Sequence, residues 1–287
     1  MPLRVGLFHC MGLAGKLNWL LVRHVPQASR SVIFFPGDIS DFASKHAPYS
    51  YSLEGLLWVL SLKFPEDNVV LVKPRMMREH FAIYVNFMQV DSFGNPRSLA
   101  DPQSQAEADP PQAVEHLHLL LRSLSTELGE ELPSALLLLG FSKGGAVLNA
   151  LMREAKVELW SRVQAVHFID TGLNVPGVFP ADEEELRKLK DLVPSSFEIW
   201  LHCTPRQLED PGRPFVAKEH NEFEERCKAI GFSVLRRHYA EGLPISLEMH
   251  FDSLRCFYTS AGDQDAGNAH CGFFRAWQDI AEAAMES

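Results

Sequence analysis

Short runs of consecutive apolar residues, each about the length of one strand, punctuate the chain. They read SVIFF (Ser31 to Phe35), NVVLV (Asn68 to Val72), ALLLL (Ala135 to Leu139), VQAVHFI (Val163 to Ile169), FEIWLH (Phe197 to His202) and FSVLRRH (Phe232 to His238). Continuous rather than alternating hydrophobicity predicts strands covered on both faces, as in a parallel sheet. Between them the period changes. Val114, Leu117, Leu121, Leu124 and Leu128 recur at three and four residues and form one helical stripe, and Val147, Leu148, Leu151 and Met152 repeat it after Gly145. DEEELRKLKDLV runs from acids to bases, the order a helix dipole favours, and KEHNEFEERCKAIG stops at Gly231. CGFFRAWQDIAEAAM, from Cys271, predicts a closing amphipathic helix. This alternation predicts an α/β fold with a mostly parallel central sheet and helices on both faces.

Three stretches depart from the alternation. RVGLFHCMG and WLLVRHV, near the N-terminus, predict a further pair of strands. Arg4, Lys16, Arg23 and Arg30 precede the first acid, Asp38, which is the charge bias of a mitochondrial presequence. Presequences are amphipathic helices, so β-rich runs argue for folded structure over a removable leader. Residues 91–111 are rich in Pro, Asp and Ser and too long for an ordinary connection, while 171–180 follow a strand directly. Both predict lids over the strand ends, with plain surface loops as the alternative.

Composition narrows the class. The 287 residues are 46% hydrophobic, enough for one large domain over 1–287. A net charge of -10 argues against a nucleic-acid partner. No window has the roughly 18 consecutive apolar residues of a membrane-spanning helix. The five cysteines are scattered, odd in number and never spaced C-x-x-C, which predicts reduced thiols rather than a disulfide framework or a zinc site.

Chemistry concentrates in LLLLGFSKGG, where Gly140, Ser142 and Gly144 spell G-x-S-x-G between the most apolar strand and a helical pattern. This is the context of the nucleophile elbow of α/β-hydrolases: glycines clear space for a tight turn that presents the serine at a helix N-terminus. Such a serine needs an imidazole to take its proton and a carboxylate to fix that imidazole. In this fold the partners follow in the order Ser, acid, His. Asp210, in the loop after FEIWLH, is the preferred acid, and Asp170, ending VQAVHFI, is the alternative. His250 and His270 compete as the base. The oxyanion donors are expected from the backbone N–H groups of Lys143 and of Asp38, after the Pro36-Gly37 turn. HFAIYVNFMQV, residues 80–90, could roof an apolar site, though core is the preferred reading. No metal or organic cofactor is expected, since no histidine pairs with acids at a ligand spacing.

In order along the chain, FFPGDI, SLEGLLWVLSLKFP, YVNF, FGNP, LLGFSKGGAVLN, TPRQLEDP, KEH and HF resemble the eukaryotic protein family UPF0565. The resemblance runs from about Phe34 to Phe257, so the tail from 258 onward falls outside it. It implies an α/β-hydrolase fold, a mitochondrial location with the cytoplasm as the alternative, and a site of Ser142, Asp210 and His250. His270 lies beyond the matched segment. The expected function is a serine hydrolase cleaving an ester, thioester or related acyl bond of a small acyl or lipid-like substrate. The alternative is an inactive hydrolase-fold binding or regulatory protein linked to mitochondrial function. In that reading Lys143 is a cation beside the serine that holds an anionic group, though a surface lysine at a helix N-terminus with no role is the preferred reading.

Overall fold

The structure is a computed structural model that describes residues 3–44, 51–97, 112–176 and 182–259. The six apolar runs form strands where the pattern puts them: β3 (Arg30–Phe35), β4 (Asn68–Val72), β7 (Ala135–Phe141), β8 (Val163–Ile169), β9 (Glu198–Cys203) and β10 (Ser233–His238). The N-terminal pair is also real, as β1 (Arg4–Met11) and β2 (Leu17–His24), and a short hairpin, β5 (Met76–Arg78) and β6 (Phe81–Ile83), stands apart. Eight strands make one sheet in the order β1-β2-β4-β3-β7-β8-β9-β10; β1 and β2 are antiparallel to their neighbours and the rest are parallel. β7 therefore lies inside the sheet, between β3 and β8, and Leu136 to Phe141 are all buried.

Two apolar layers sandwich the sheet. One face packs against α2 (Ala113–Leu128), α3 (Gly144–Glu154), α5 (Glu183–Lys190) and α7 (Pro214–Ile230); the short α4 (Val157–Trp160) adds Leu159 and Trp160. The other face carries α1 (Leu53–Lys63) and α8 (Leu247–Cys256). Left-handed glycines end α2 at Gly129 and α7 at Gly231, where L side chains would be strained. Asp182 and Glu185 form the capping box that starts α5.

α1 and α8 are absent from the periodicity. α1 has apolar residues around nearly its whole girth, with Leu53, Leu56, Leu57 and Leu60 buried and Trp58 and Leu62 exposed, so no single stripe marks it. A side-chain cap does: Ser52 accepts from the Gly55 N–H at 3.1 Å. Two of the basic residues near the N-terminus, Arg23 and Arg30, belong to this architecture. Arg23 is buried and donates to the carbonyls of Ser61, Phe64, Pro65 and Asp67, closing the end of α1, while Arg30 pairs with Asp67 at 2.6 Å. The reduced-thiol expectation needs one correction. Cys10, Cys203 and Cys227 are free and buried, but Cys256 is disulfide-bonded. The predicted helix from Cys271 lies outside the described residues.

Candidate functional site

β7 delivers Ser142 at the carboxyl end of the sheet in a left-handed conformation, φ 52°. A non-glycine residue there stores strain on the order of 1–3 kcal/mol, which the surroundings must enforce. The Ser142 N–H donates to the Ile169 carbonyl at 3.0 Å and the Gly145 N–H to the Ser142 carbonyl at 3.1 Å, so the turn is fixed on both sides. Its glycines are explained by close approach. A Cβ on Gly144 would lie 1.9 Å from the Phe35 carbonyl oxygen, and one on Gly140 would lie 2.7 Å from that of Gly144. Gly37, in the loop after β3, is equally tight: a Cβ there would meet Ser142 Cβ at 2.6 Å.

His250 reaches this end of the sheet from the first turn of α8, which Ser246 caps by accepting from the Met249 N–H at 3.0 Å. Its ring lies against Phe141, 4.4 Å between centroids, and its Nδ1 meets Asp170 Oδ2 at 2.6 Å. Asp170 is completely buried, at the end of β8 with φ 43°. Three donors converge on its carboxylate. Besides the imidazole, the Thr204 N–H donates to Oδ1 at 2.7 Å and the Thr204 hydroxyl to Oδ2 at 2.8 Å. These hydrogen bonds offset the cost of burying the carboxylate. A proton on Nδ1 facing that carboxylate leaves Nε2 as the basic nitrogen. Ser142 and His250 both line one cavity, and no hydrogen bond joins them among the described residues.

The acid preferred from sequence is not the one beside the histidine. Asp210 follows a short helix, α6 (Pro205–Leu208), that carries the chain away from the end of β9. There Asp210 closes a local turn, accepting from the Gly212 N–H and from Arg213 Nε, both at 2.8 Å. The Arg213 bond holds its carboxyl below the usual aspartate range. Thr204, the residue that supports Asp170, was missed; a threonine directly after an apolar strand was the only signal. His270 lies outside the described residues.

The residue beside the serine is also placed differently from expectation. Lys143 is no surface lysine, with only 3% of it exposed. Its Nζ lies 2.8 Å from Asp38 Oδ1, donates to the Phe93 carbonyl at 2.7 Å, and sits 5.0 Å from the Phe81 ring centre. Asp38 Oδ1 also accepts from the Ala82 N–H at 2.8 Å, and Tyr84 donates to the Pro36 carbonyl at 2.8 Å. The loop after β3 is thus pinned to β6 and to the turn at Ser142. Among the described residues the backbone N–H groups of Asp38 and Lys143 donate to no protein acceptor. HFAIYVNFMQV divides between the two roles foreseen for it: Tyr84 and Phe87 are core, whereas His80 and Phe81 line the cavity.

The cavity has a volume of ≈ 320 Å³. Phe81, Leu247 and Phe251 supply apolar wall, while Arg206, Asp210 and Arg213 supply a polar one. Two other buried histidines, His116 and His167, do not line the cavity. Burial pushes His116 down to about 4 and His167 to about 3. Among the described residues no cluster of three His, Cys, Asp or Glu is arranged to hold a metal ion, and no helix is long and apolar enough to cross a membrane. A serine hydroxyl, an imidazole with its basic nitrogen free and a buried carboxylate, next to two unused N–H groups, is a set that can transfer a proton and receive an oxyanion.

A family model described as C2orf69 matches residues 7–135 and 130–233. The mitochondrial protein C2orf69 homolog of Danio rerio is 29% identical over 258 residues, covering 79% of this chain and 72% of the relative. The mitochondrial protein C2orf69 of Homo sapiens is 25% identical over 296 residues, covering 79% and 74%. Among solved structures, an IroE-like serine hydrolase from Shewanella oneidensis matches with a TM-score of 0.53 at 13% identity, over 88% of this chain and 78% of that one. Carboxyl esterase 2 from the mycorrhizal fungus Tuber melanosporum matches at 0.51 and 12% identity, over 97% and 87%. These likenesses establish the α/β-hydrolase fold.

Proposed function

The chain belongs to the C2orf69 family, and from that footing we propose that it is a serine hydrolase cleaving an ester, thioester or related acyl bond of a small substrate. Its homologues are named as mitochondrial proteins, which supports a mitochondrial location. The observation that carries the reading is the 2.6 Å bond between His250 Nδ1 and the completely buried Asp170 carboxylate, at the cavity that also holds Ser142.

In this reading Ser142 is a nucleophile elbow and its Oγ attacks the carbonyl carbon while His250 Nε2 takes the hydroxyl proton. Asp170 keeps the imidazole in the right tautomer and stabilises the imidazolium. The tetrahedral oxygen receives the N–H groups of Asp38 and Lys143. As the acyl–oxygen or acyl–sulfur bond breaks, His250 returns the proton to the departing alcohol or thiol. Water, deprotonated by His250, then cleaves the acyl-enzyme and restores Ser142.

Turnover of 4-nitrophenyl butyrate tests this. Hydrolysis is expected for the wild type, with kcat reduced about 10³-fold or more in Ser142→Ala. Equal rates in the two proteins would remove Ser142 from the reaction.

A further inference from the structure

The charged side chains lining the cavity are not all balanced. Lys143 is neutralised by Asp38 at 2.8 Å, and His250 is bonded to Asp170 at 2.6 Å. Asp210 is bonded to Arg213 at 2.8 Å. Arg206 also faces the cavity, close enough for its charge to act on Asp210, so two guanidiniums share one carboxylate. Among the described residues the Arg206 side chain makes no hydrogen bond or ion pair, and its Nε is buried without an acceptor. A buried donor left unmatched is costly, and a guanidinium presents its N–H groups in a fork that fits carboxylate and phosphate oxygens.

The placement of Arg206 is imposed by the same elements that build the rest of the site. Thr204 holds Asp170, and Pro205 at the first position of α6 starts a single turn that sets Arg206 two residues farther along the wall. We propose that Arg206 receives an anionic group of the substrate, a carboxylate or a phosphate, while the acyl carbon sits at Ser142. Resting on the hydrolase reading above, this names the substrate class: short acyl compounds with a negative charge remote from the bond to be cleaved. The cavity volume, at the small end of ligand sites, suits a compact ligand. The anion-holding cation foreseen beside the serine is therefore not Lys143, which is already paired, but Arg206.

Calorimetric titration with glutarate, with inorganic phosphate and with uncharged glutaramide tests the assignment without requiring turnover. At least one of the two anions should bind the wild type and Ser142→Ala, and glutaramide should not. Binding should weaken about 10- to 100-fold in Arg206→Gln and less in Arg206→Lys, which keeps the charge and loses the fork. Thermal melting of each variant identifies loss of fold, and the Lys variant carries the test if Gln does not fold. Glutarate alone assigns a carboxylate and phosphate alone a phosphate ester. A wild type that binds neither, or anion binding equal in wild type and Arg206→Gln, overturns the proposal. Anion binding that persists while Ser142 proves unreactive leaves Arg206 assigned and removes only the hydrolase reading.

Discussion

A lysine excluded from water beside a serine needs a compensating charge, and Asp38 supplies it. Breaking such a pair from one side leaves the other charge uncompensated, so Lys143→Met should lower stability by about 3 kcal/mol. Urea denaturation measures this, and Lys143→Met combined with Asp38→Asn should cost less than the sum of the two. At the same scale the acids separate cleanly. Asp170→Asn should reduce kcat/KM by about 10³- to 10⁴-fold because the imidazole loses the partner that fixes its tautomer. Asp210→Asn, which disturbs a partly exposed ion pair, should reduce it less than about tenfold. Ser142 was legible because a turn this tight leaves a glycine signature. The preference for His250 over His270 rested on the resemblance, since nothing in their spacing separates them. The pairing of His250 with Asp170 instead of Asp210 was hidden because the chain distance from β9 to Asp210 conceals α6, a single helical turn that begins with proline and shows no periodicity.

Elements explain why the serine turn cannot drift. β7 ends and α3 begins against the backbone of β3, so Gly144→Ala drives a methyl into the Phe35 carbonyl and should cost about 3 kcal/mol, read by the same denaturation. Strands were legible because burial on both faces leaves unbroken apolar runs, and α2 and α3 because one buried face leaves a stripe. α1 was not, being apolar nearly all round. The contact of α2 with the β1–β2 turn brings a pH dependence. His116 accepts from the Leu13 N–H at 3.0 Å, and its other ring nitrogen lies 2.9 Å from Asn18 Oδ1. Burial, aided by Lys16, lowers it from 6.5 to about 4. Below pH 6.5 the unfolded chain therefore binds a proton that the folded chain refuses. This contribution is complete above 6.5 and drains away as the pH falls towards about 4. His116→Gln should show a shallower loss of stability over that interval.

At the scale of the molecule, a parallel sheet gathers the ends of β3, β7, β8 and β9 on one side: Asp38, Ser142 and Arg206 line the cavity, and Asp170, held by Thr204, bonds the His250 that lines it too. That convergence follows from strand order, which no local pattern encodes; it is why the strands were legible and the partnerships between their ends were not. The net charge of -10 belongs to the whole chain and does not describe the cavity, where an arginine is left over. The central claim is that these converging groups make Ser142 react. Incubation with a fluorophosphonate followed by peptide mass spectrometry tests it most directly. The account predicts one adduct, on Ser142 of the wild type, absent from Ser142→Ala and slowed at least about 100-fold in His250→Ala. Folded wild-type protein that stays unlabelled, or His250→Ala labelled at the wild-type rate, would contradict it.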